Sequence, residues 1–351
     1  MPVLTTAIGS HPKAPDCPVP GWFAIRAIHR PQPTRTYSTF LRDRTPDSTA
    51  RLDRATQDAV REQVEAGVDI PSEGEIRRGH YVYYHLRHLD GFSFERLSAK
   101  VMRDGQWQAE VPTVIGPIKA GASFLVRDWQ IAQAASERPV KITLPGPLTI
   151  IDSTADAYYG EPRRLASALA AALNVEIRRL ADAGCRWIQI DEPVFARKPD
   201  DALAYGIDCL GTCFAGLPPE VNRVVHICCG YPTELDQDNY PKADAGAYFR
   251  LAEALDAAPV DHVSIEDAHR HNDLTLLDHF RRRGVILGVV DVARRRIESV
   301  DEIRARLQAA LDHIEPDRLL AAPDCGLIML DRPTAIAKLA NLAEAAHGIG
   351  R

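Results

Sequence analysis

The 351-residue chain contains no run of about 18 or more uninterrupted apolar residues, which excludes an ordinary transmembrane helix. Its opening residues, Met1-Pro2-Val3-Leu4-Thr5-Thr6, lack the basic start and apolar core of a secretory signal, so a cytoplasmic location is expected. An excess of positive charge is also missing. The formal net charge is −6, which gives no reason to expect nucleic acid or an anionic membrane as partner. Internal repeats, low-complexity tracts and linker-like stretches are absent, so a single domain spanning residues 1–351 is expected. Cysteines are few and odd in number, seven in all, and none falls in the C-x₂-C knuckle of a structural zinc site. A reducing compartment fits that usage. What remains is 45% apolar and 26% charged, ordinary for a globule with a full core.

Against that plain background, three distant fragments each end an apolar run on a metal-binding side chain. They are Val224-Val225-His226-Ile227-Cys228, Val263-Ser264-Ile265-Glu266 and Leu319-Leu320-Ala321-Ala322-Pro323-Asp324-Cys325. One imidazole, two thiolates and one carboxylate (His226, Cys228, Cys325 and Glu266) make a tetrahedral zinc set. Each lies where a buried parallel strand should end, the place where (β/α)₈ barrels keep their chemistry. Ligands spread over three strand ends point to a working site with room for a substrate.

The wider pattern predicts that barrel. Short apolar runs at Leu4–Gly9, Val68–Ser72, Val140–Leu144, Arg186–Asp191, Arg223–Cys228, His262–Glu266, Val285–Val290 and Leu319–Pro323 read as parallel strands buried on both faces. Helical spacing fills the intervals. Leu165, Leu169, Leu173, Ile177 and Leu180 form one stripe, with Pro162 suited to the first turn and Gly184 to the end. Val300, Ile303, Leu307, Leu311 and Ile314 form another. The expected fold class is α/β, a single (β/α)₈ TIM barrel. Residues 73–123 are too long for a loop, and Gln106–Val111 followed by Val114-Ile115 predicts an inserted β-hairpin after the second strand. Residues 11–48, rich in proline and arginine, predict an irregular excursion after the first.

In this register Ser10, Glu73, Glu75, Asp191, Glu192, His226, Cys228, Glu266, Asp291 and Cys325 face one mouth. Any one of the acids could instead cap a helix or pair with an arginine, and any one cysteine could be a small core residue. The joint arrangement favours the functional reading. Cys229 points away from Cys228 on a strand and is read as packing. Cys209 and Cys213 have no nearby partner to complete a ligand set, Cys185 starts an apolar strand, and Cys17 carries no signal. Arg77, Arg78, His80, Tyr81, Tyr83, Tyr84, His85 and His88 could wall a pocket, bind an anion or form a solvated helix face.

These residues resemble cobalamin-independent methionine synthase. His226-x-Cys228, Ser264-Ile265-Glu266 and Pro323-Asp324-Cys325-Gly326 look like that family's zinc motifs. Ile8-Gly9-Ser10, Gly74-Glu75, Gly146-Pro147, Ile190-Asp191-Glu192-Pro193 and Arg296-Ile297-x-Ser299 follow in the family's order. The likeness spans nearly the whole chain but only the C-terminal catalytic barrel of the long, two-barrel enzyme, close in size to short single-barrel members. It implies a Zn²⁺ cofactor and a methyltransferase of the 5-methyltetrahydropteroyltriglutamate–homocysteine S-methyltransferase type, in methionine biosynthesis. A thiol entering the open metal position loses its proton, and three anionic ligands keep its sulfur electron-rich for attack on a methyl carbon. The resemblance assigns Glu75 and Asp191 to the substrate ammonium and Ser10 to its carboxylate, which suits homocysteine rather than a sulfonate thiol.

The departures bear on the donor. The long enzyme has a folate-packing tryptophan where this chain is close to Ser153, and a histidine in an Asp-Ile-His-Ser run where this chain has Asp291-Val292-Ala293-Arg294. Alanine transfers no proton, and general-acid help is typically worth a factor of about 10² to 10⁴. A corrinoid-bound methyl, carried by a protein or small molecule, fits these losses better than methyltetrahydrofolate. Three other readings stand beside this one: alkyl transfer to a different thiol in a specialised pathway, a metal-free barrel of the uroporphyrinogen decarboxylase kind, and a non-catalytic zinc-binding barrel.

Overall fold

The computed structural model describes residues 2–19, 33–102 and 107–350. In chain order the strands are β1 (Leu4–Thr5), β2 (Leu89–Met102), β3 (Trp107–Ala120), β4 (Lys141–Pro145), β5 (Ala155–Asp156), β6 (Trp187–Asp191), β7 (Asn222–Ile227), β8 (His262–Glu266), β9 (Gly284–Val290) and β10 (Leu319–Pro323). Seven of them make one curled parallel sheet in the order β1-β10-β9-β8-β7-β6-β4. Strands β4, β6, β9 and β10 are buried along their whole length, which is why their sequences are apolar without strict alternation.

The sheet's two edges, β1 and β4, are linked through residues 70–74. Isolated parallel bridges join Thr6 to Ile70, Ser10 to Gly74 and Ser72 to Lys141. The run expected as a second ladder strand, Val68–Ser72, is therefore a bridged segment, and its composition explains why. Pro71 has no N–H to give a ladder. Ser72 spends its backbone on a side chain instead: its N–H donates to Gln63 Oε1 at 2.9 Å, and its carbonyl accepts from Gln63 Nε2 at 3.0 Å. Its hydroxyl donates to Gly9 O at 2.5 Å.

Helices cover the outer face. Pro162–Asp182 buries Leu165, Leu169, Leu173, Ile177 and Leu180, and Gly184 follows it at φ 106°, the left-handed geometry that glycine tolerates. Val300–Ala310 starts with a capping box between Ser299 and Glu302 and buries Ile303 and Leu307. On the inner face of the sheet Ile8, Ile70, Trp187, Val224, Ile286, Leu320 and Ala322 pack into a separate apolar cluster. Their sequence neighbours Ile188, Val225, Val285, Leu287, Leu319 and Ala321 join the main core, the period-two division of a strand.

Two insertions interrupt this plan. β2 and β3 pair antiparallel, with register shifts between Asp90 and Phe92 and between Ser93 and Leu97, and β3 adds β5 in parallel. Gln106, where the sequence begins that hairpin's return run, lies outside the described residues. The excursion at 11–48 is not irregular throughout: Pro33–Arg42 is a helix, and Pro46–Glu65 follows from a Thr45–Ser48 capping box. Proline in the first turn of the second starts that helix rather than breaking it. Residues 20–32 of the excursion lie outside the described part.

Candidate metal and substrate site

The ends of β7 and β10 bring three of the four expected ligands together. One ligand atom each from His226, Cys228 and Cys325 lies within 4.8 Å of the others. His226 Nδ1 is 2.9 Å from Ser264 Oγ on β8, while its Nε2 is buried with no hydrogen-bond partner in the protein. A buried ring nitrogen left without a partner, on an imidazole this close to two thiols, is suited to bind a metal. The neighbouring Cys228 thiol, then burial, then Glu266 push the Cys325 thiol well above its ordinary range. Groups that hold one another protonated in this way become the anionic ligands of a soft dication once one is bound. The donor set fits zinc.

Glu266 closes the strand beside them but is not one of that close trio. Its Oε2 accepts from Cys229 N–H at 2.9 Å and lies 3.3 Å from His269 Nε2. Burial first, then Cys228 and Asp324, push its carboxyl well above the usual range. Asp324, fully buried, sets this geometry: Oδ1 accepts from the N–H of Asp267 and Ala268, and Oδ2 from the N–H of His269. Its Oδ2 is also 2.5 Å from His269 Nδ1. One carboxylate thus clamps the loop after β8 to the end of β10 and places Cys325 opposite Cys228. His269, Asp291 and Asp324 form a second group with ligand atoms within 4.8 Å, yet Asp324 is committed to these bonds. Neither His269 nor this clamp was visible as a functional feature in the sequence. The only sign was an aspartate immediately before Cys325.

A cavity of about 190 Å³ opens on the trio and is lined by Ser10, Glu75 and Asp191 as well as His226, Cys228 and Cys325. Of the ten residues expected at one mouth these six line one space, while Glu73, Glu192, Glu266 and Asp291 do not. Glu75 sits at φ 55°, directly after Gly74 at φ 74°. A left-handed glutamate is strained, and it is kept there by contacts: Thr143 Oγ1 donates to Glu75 Oε1 at 2.9 Å, and Arg78 Nη1 lies 3.2 Å from the same oxygen. Gln189 Nε2 donates to Asp191 Oδ1 at 2.7 Å and to Ile8 O at 2.9 Å. Burial raises the Asp191 carboxyl to about 7, with Glu75 adding to the rise while His226, Gln189 and Arg78 oppose it. Ser10 Oγ packs so closely on Gly326 that any side chain at 326 would displace it. Tyr231 O–H donates to Gly326 O at 2.5 Å.

The remaining expectations sort cleanly. Of the basic and aromatic cluster, His80 and Tyr81 line the cavity. Arg78 is buried in ion pairs with Glu73 and Glu75, and Arg77 pairs with Asp53 and Asp128. Val82, Tyr83, Tyr84 and Leu86 are core. Glu192 took the bland alternative: it accepts from Leu148 N–H, Thr149 N–H and Thr149 O–H at the start of Pro147–Asp152. Cys185, Cys209, Cys213 and Cys229 are buried in the main core. Ser153 lines the cavity, and Ala293 donates its N–H to Asp291 Oδ1. Among the described residues no helix is long and apolar enough to cross a membrane.

A curled parallel sheet that gathers an imidazole and two thiols beside buried carboxylates, all at the strands' carboxyl ends, defines an α/β enzyme with a candidate soft-metal site. The model for the catalytic domain of cobalamin-independent synthase matches residues 3–199 and 245–348. The chain belongs to the cobalamin-independent methionine synthase family, and the class is methyltransferase. It is 31% identical over 345 residues to a methionine synthase of Sulfolobus acidocaldarius, covering 97% of this chain and 90% of that one. A methionine synthase of Thermococcus kodakarensis is 28% identical over 358 residues, with 100% and 95% covered. The structure of a B12-independent methionine synthase from Shewanella sp. W3-18-1 in complex with selenomethionine superposes with a TM-score of 0.85 at 30% identity, covering 99% and 97%.

Proposed function

We propose that this protein is a zinc-dependent methyltransferase that converts homocysteine to methionine. The observation carrying the proposal is that His226, Cys228 and Cys325 converge within 4.8 Å, in the same cavity as Ser10, Glu75 and Asp191. The first three residues, with Glu266 at their side, would hold zinc. Bound there, the ion would stabilise the thiolate of an incoming thiol and so supply a nucleophile at neutral pH. Glu75 and Asp191 accept the substrate ammonium, and Ser10 O–H donates to its carboxylate. Arg78 and Thr143 keep Glu75 turned toward the cavity, and Gln189 does the same for Asp191. The new bond joins the thiol sulfur to the methyl carbon as the donor's bond to that carbon breaks. A cavity of about 190 Å³ suits an amino acid and little more, so the donor approaches from the mouth.

The donor we propose is a corrinoid-bound methyl rather than methyltetrahydrofolate, because the side chain of Ala293 offers no proton to a leaving amine. A corrinoid-bound methyl needs none. We also read the seven strands and the bridged segment at 70–74 as one (β/α)₈ barrel, and residues 1–351 as one domain. Both matched stretches, 3–199 and 245–348, give strands to the same sheet.

Zinc-loaded protein incubated with homocysteine and, separately, methylcobalamin, methyltetrahydrofolate or S-methylmethionine tests the reading by quantifying methionine. Methylcobalamin is expected to support turnover, and Cys325→Ala to abolish it along with bound zinc while the fold persists. Turnover by a metal-free Cys325→Ala variant, or no methionine from any donor, overturns the proposal.

A further inference from the structure

We infer that His269 is a positioning residue for the metal: it pins one oxygen of Glu266, so that the other oxygen is the one left to complete the ligand set. The inference rests on the zinc reading above and adds a residue to it.

Strand register puts Glu266 in place. β7 and β8 pair His226 with Ser264 and Ile227 with Ile265, so Glu266 continues opposite Cys228. Ser264 touches the His226 ring, and Glu266, two residues on, shares its face of the strand. The carboxylate is then aimed by its contacts. Its Oε2 is engaged twice, by Cys229 N–H at 2.9 Å and by His269 Nε2 at 3.3 Å. Among the described residues its Oε1 takes no hydrogen bond. A carboxylate tethered through one oxygen keeps the other for an ion.

His269 can aim Glu266 because it is itself held at two points. Its N–H donates to Asp324 Oδ2 at 3.0 Å, and its Nδ1 lies 2.5 Å from the same oxygen. Asp324 also takes the N–H groups of Asp267 and Ala268, so one carboxylate fixes both the loop and the ring. Turning the ring away from Glu266 would break its contact with Asp324. The His269 and Glu266 side chains are 6% and 3% exposed, so no bulk water is at hand to replace the bond between them. Two further charged groups stand near. Asp291 brings a ligand atom within 4.8 Å of those of His269 and Asp324. Lys242 acts against the raised pKa of Glu266 and of Asp324, but its Nζ has no hydrogen-bond partner in the protein and does not supply the hold.

Competition of the full-length apo protein against a chromophoric chelator reads zinc affinity without turnover. His269→Asn keeps an amide where Nδ1 meets Asp324 but cannot reach Glu266. It should weaken zinc about tenfold or more, the usual effect of losing an outer partner. His269→Gln, whose longer amide extends toward Glu266, should recover part of the loss. In a Glu266→Ala background the same His269→Asn change should alter affinity by less than about twofold. Cobalt-substituted proteins should follow that pattern, with visible bands that differ between wild type and His269→Asn and coincide in the two Glu266→Ala forms. If His269→Asn does not fold, His269→Ala carries the same expectations. Unchanged zinc affinity in His269→Asn, or an equal loss with Glu266 already removed, overturns the inference. So does a second bound zinc ion that His269→Asn abolishes, since His269 would then be a ligand itself. Failure of wild type to bind zinc at all would instead refute the zinc reading beneath it.

Discussion

Replacing Ser264 with alanine tests the proposed metal centre without touching a proposed ligand. The hydroxyl of Ser264 is 2.9 Å from His226 Nδ1, and both residues are buried, so no bulk water can replace it. With Nδ1 committed to Ser264, the imidazole is held in one orientation and its buried Nε2 is the nitrogen left for a metal. Alanine removes that hold and leaves Nδ1 buried without its partner. Loss of such an outer partner typically weakens metal binding by about 10- to 100-fold, or about 1.4–2.7 kcal/mol. The measurement is a competition titration of apo protein with zinc against a chromophoric chelator. Ser264→Thr, which keeps the hydroxyl, serves as the control. The apo forms should melt within a few degrees of one another, which separates metal affinity from folding. Zinc affinity within twofold of wild type in Ser264→Ala would refute the claim that His226 Nε2 is a ligand oriented through Ser264.

Other outcomes follow from single side chains. Asp191→Asn should raise KM for the thiol amino acid by about 10- to 100-fold, the loss of a charge-assisted contact, with zinc content unchanged by metal analysis. Glu62 would be raised by burial, but hydrogen bonds from His11 and Arg332 outweigh it and bring it down to about 2. A depressed carboxyl stabilises the fold above its unfolded value near 4.5 and loses that contribution as pH falls toward 2. Chemical denaturation across that window should show wild type losing more stability than Glu62→Gln. Lys338 is fully buried, with Nζ 2.9 and 3.0 Å from the Glu298 oxygens and 2.9 Å from Asp291 O. Lys338→Met should cost about 3–5 kcal/mol by stranding Glu298, and Lys338→Met with Glu298→Gln should regain much of it in urea melts.

Strands buried on both faces announce themselves, and β8 and β10 run over the residues their apolar runs predict. The His226–Cys228–Cys325 trio was legible for the same reason. Once strand ends are known, the residues just past them must share a rim. Segment 68–72 was harder, because a composition of valine and isoleucine does not reveal that Pro71 and a helix side chain will replace ladder bonds. The helices at Pro33–Arg42 and Pro46–Glu65 were hidden by proline and arginine content, although proline at the first turn, as at Pro46, favours a helix start. Glu192 and Glu75 both follow strands, yet one caps a helix and the other lines the cavity. Only the turn through Gly74 separates their fates, and it depends on tertiary contacts with Thr143 and Arg78. Asp324 was overlooked because its four partners come from a loop some 55 residues earlier.

The wall that carries Glu75 depends on a carboxamide from the outer layer. Gln63 presents a donor and an acceptor to Ser72 as a neighbouring peptide unit would. A single rotatable group thus acts as a keystone between helix and rim. Damage twelve positions upstream of Glu75, at a wholly buried side chain, would be felt as a slackened pocket. Amide exchange at Ile70 and Lys141 should report that loosening before any global unfolding begins.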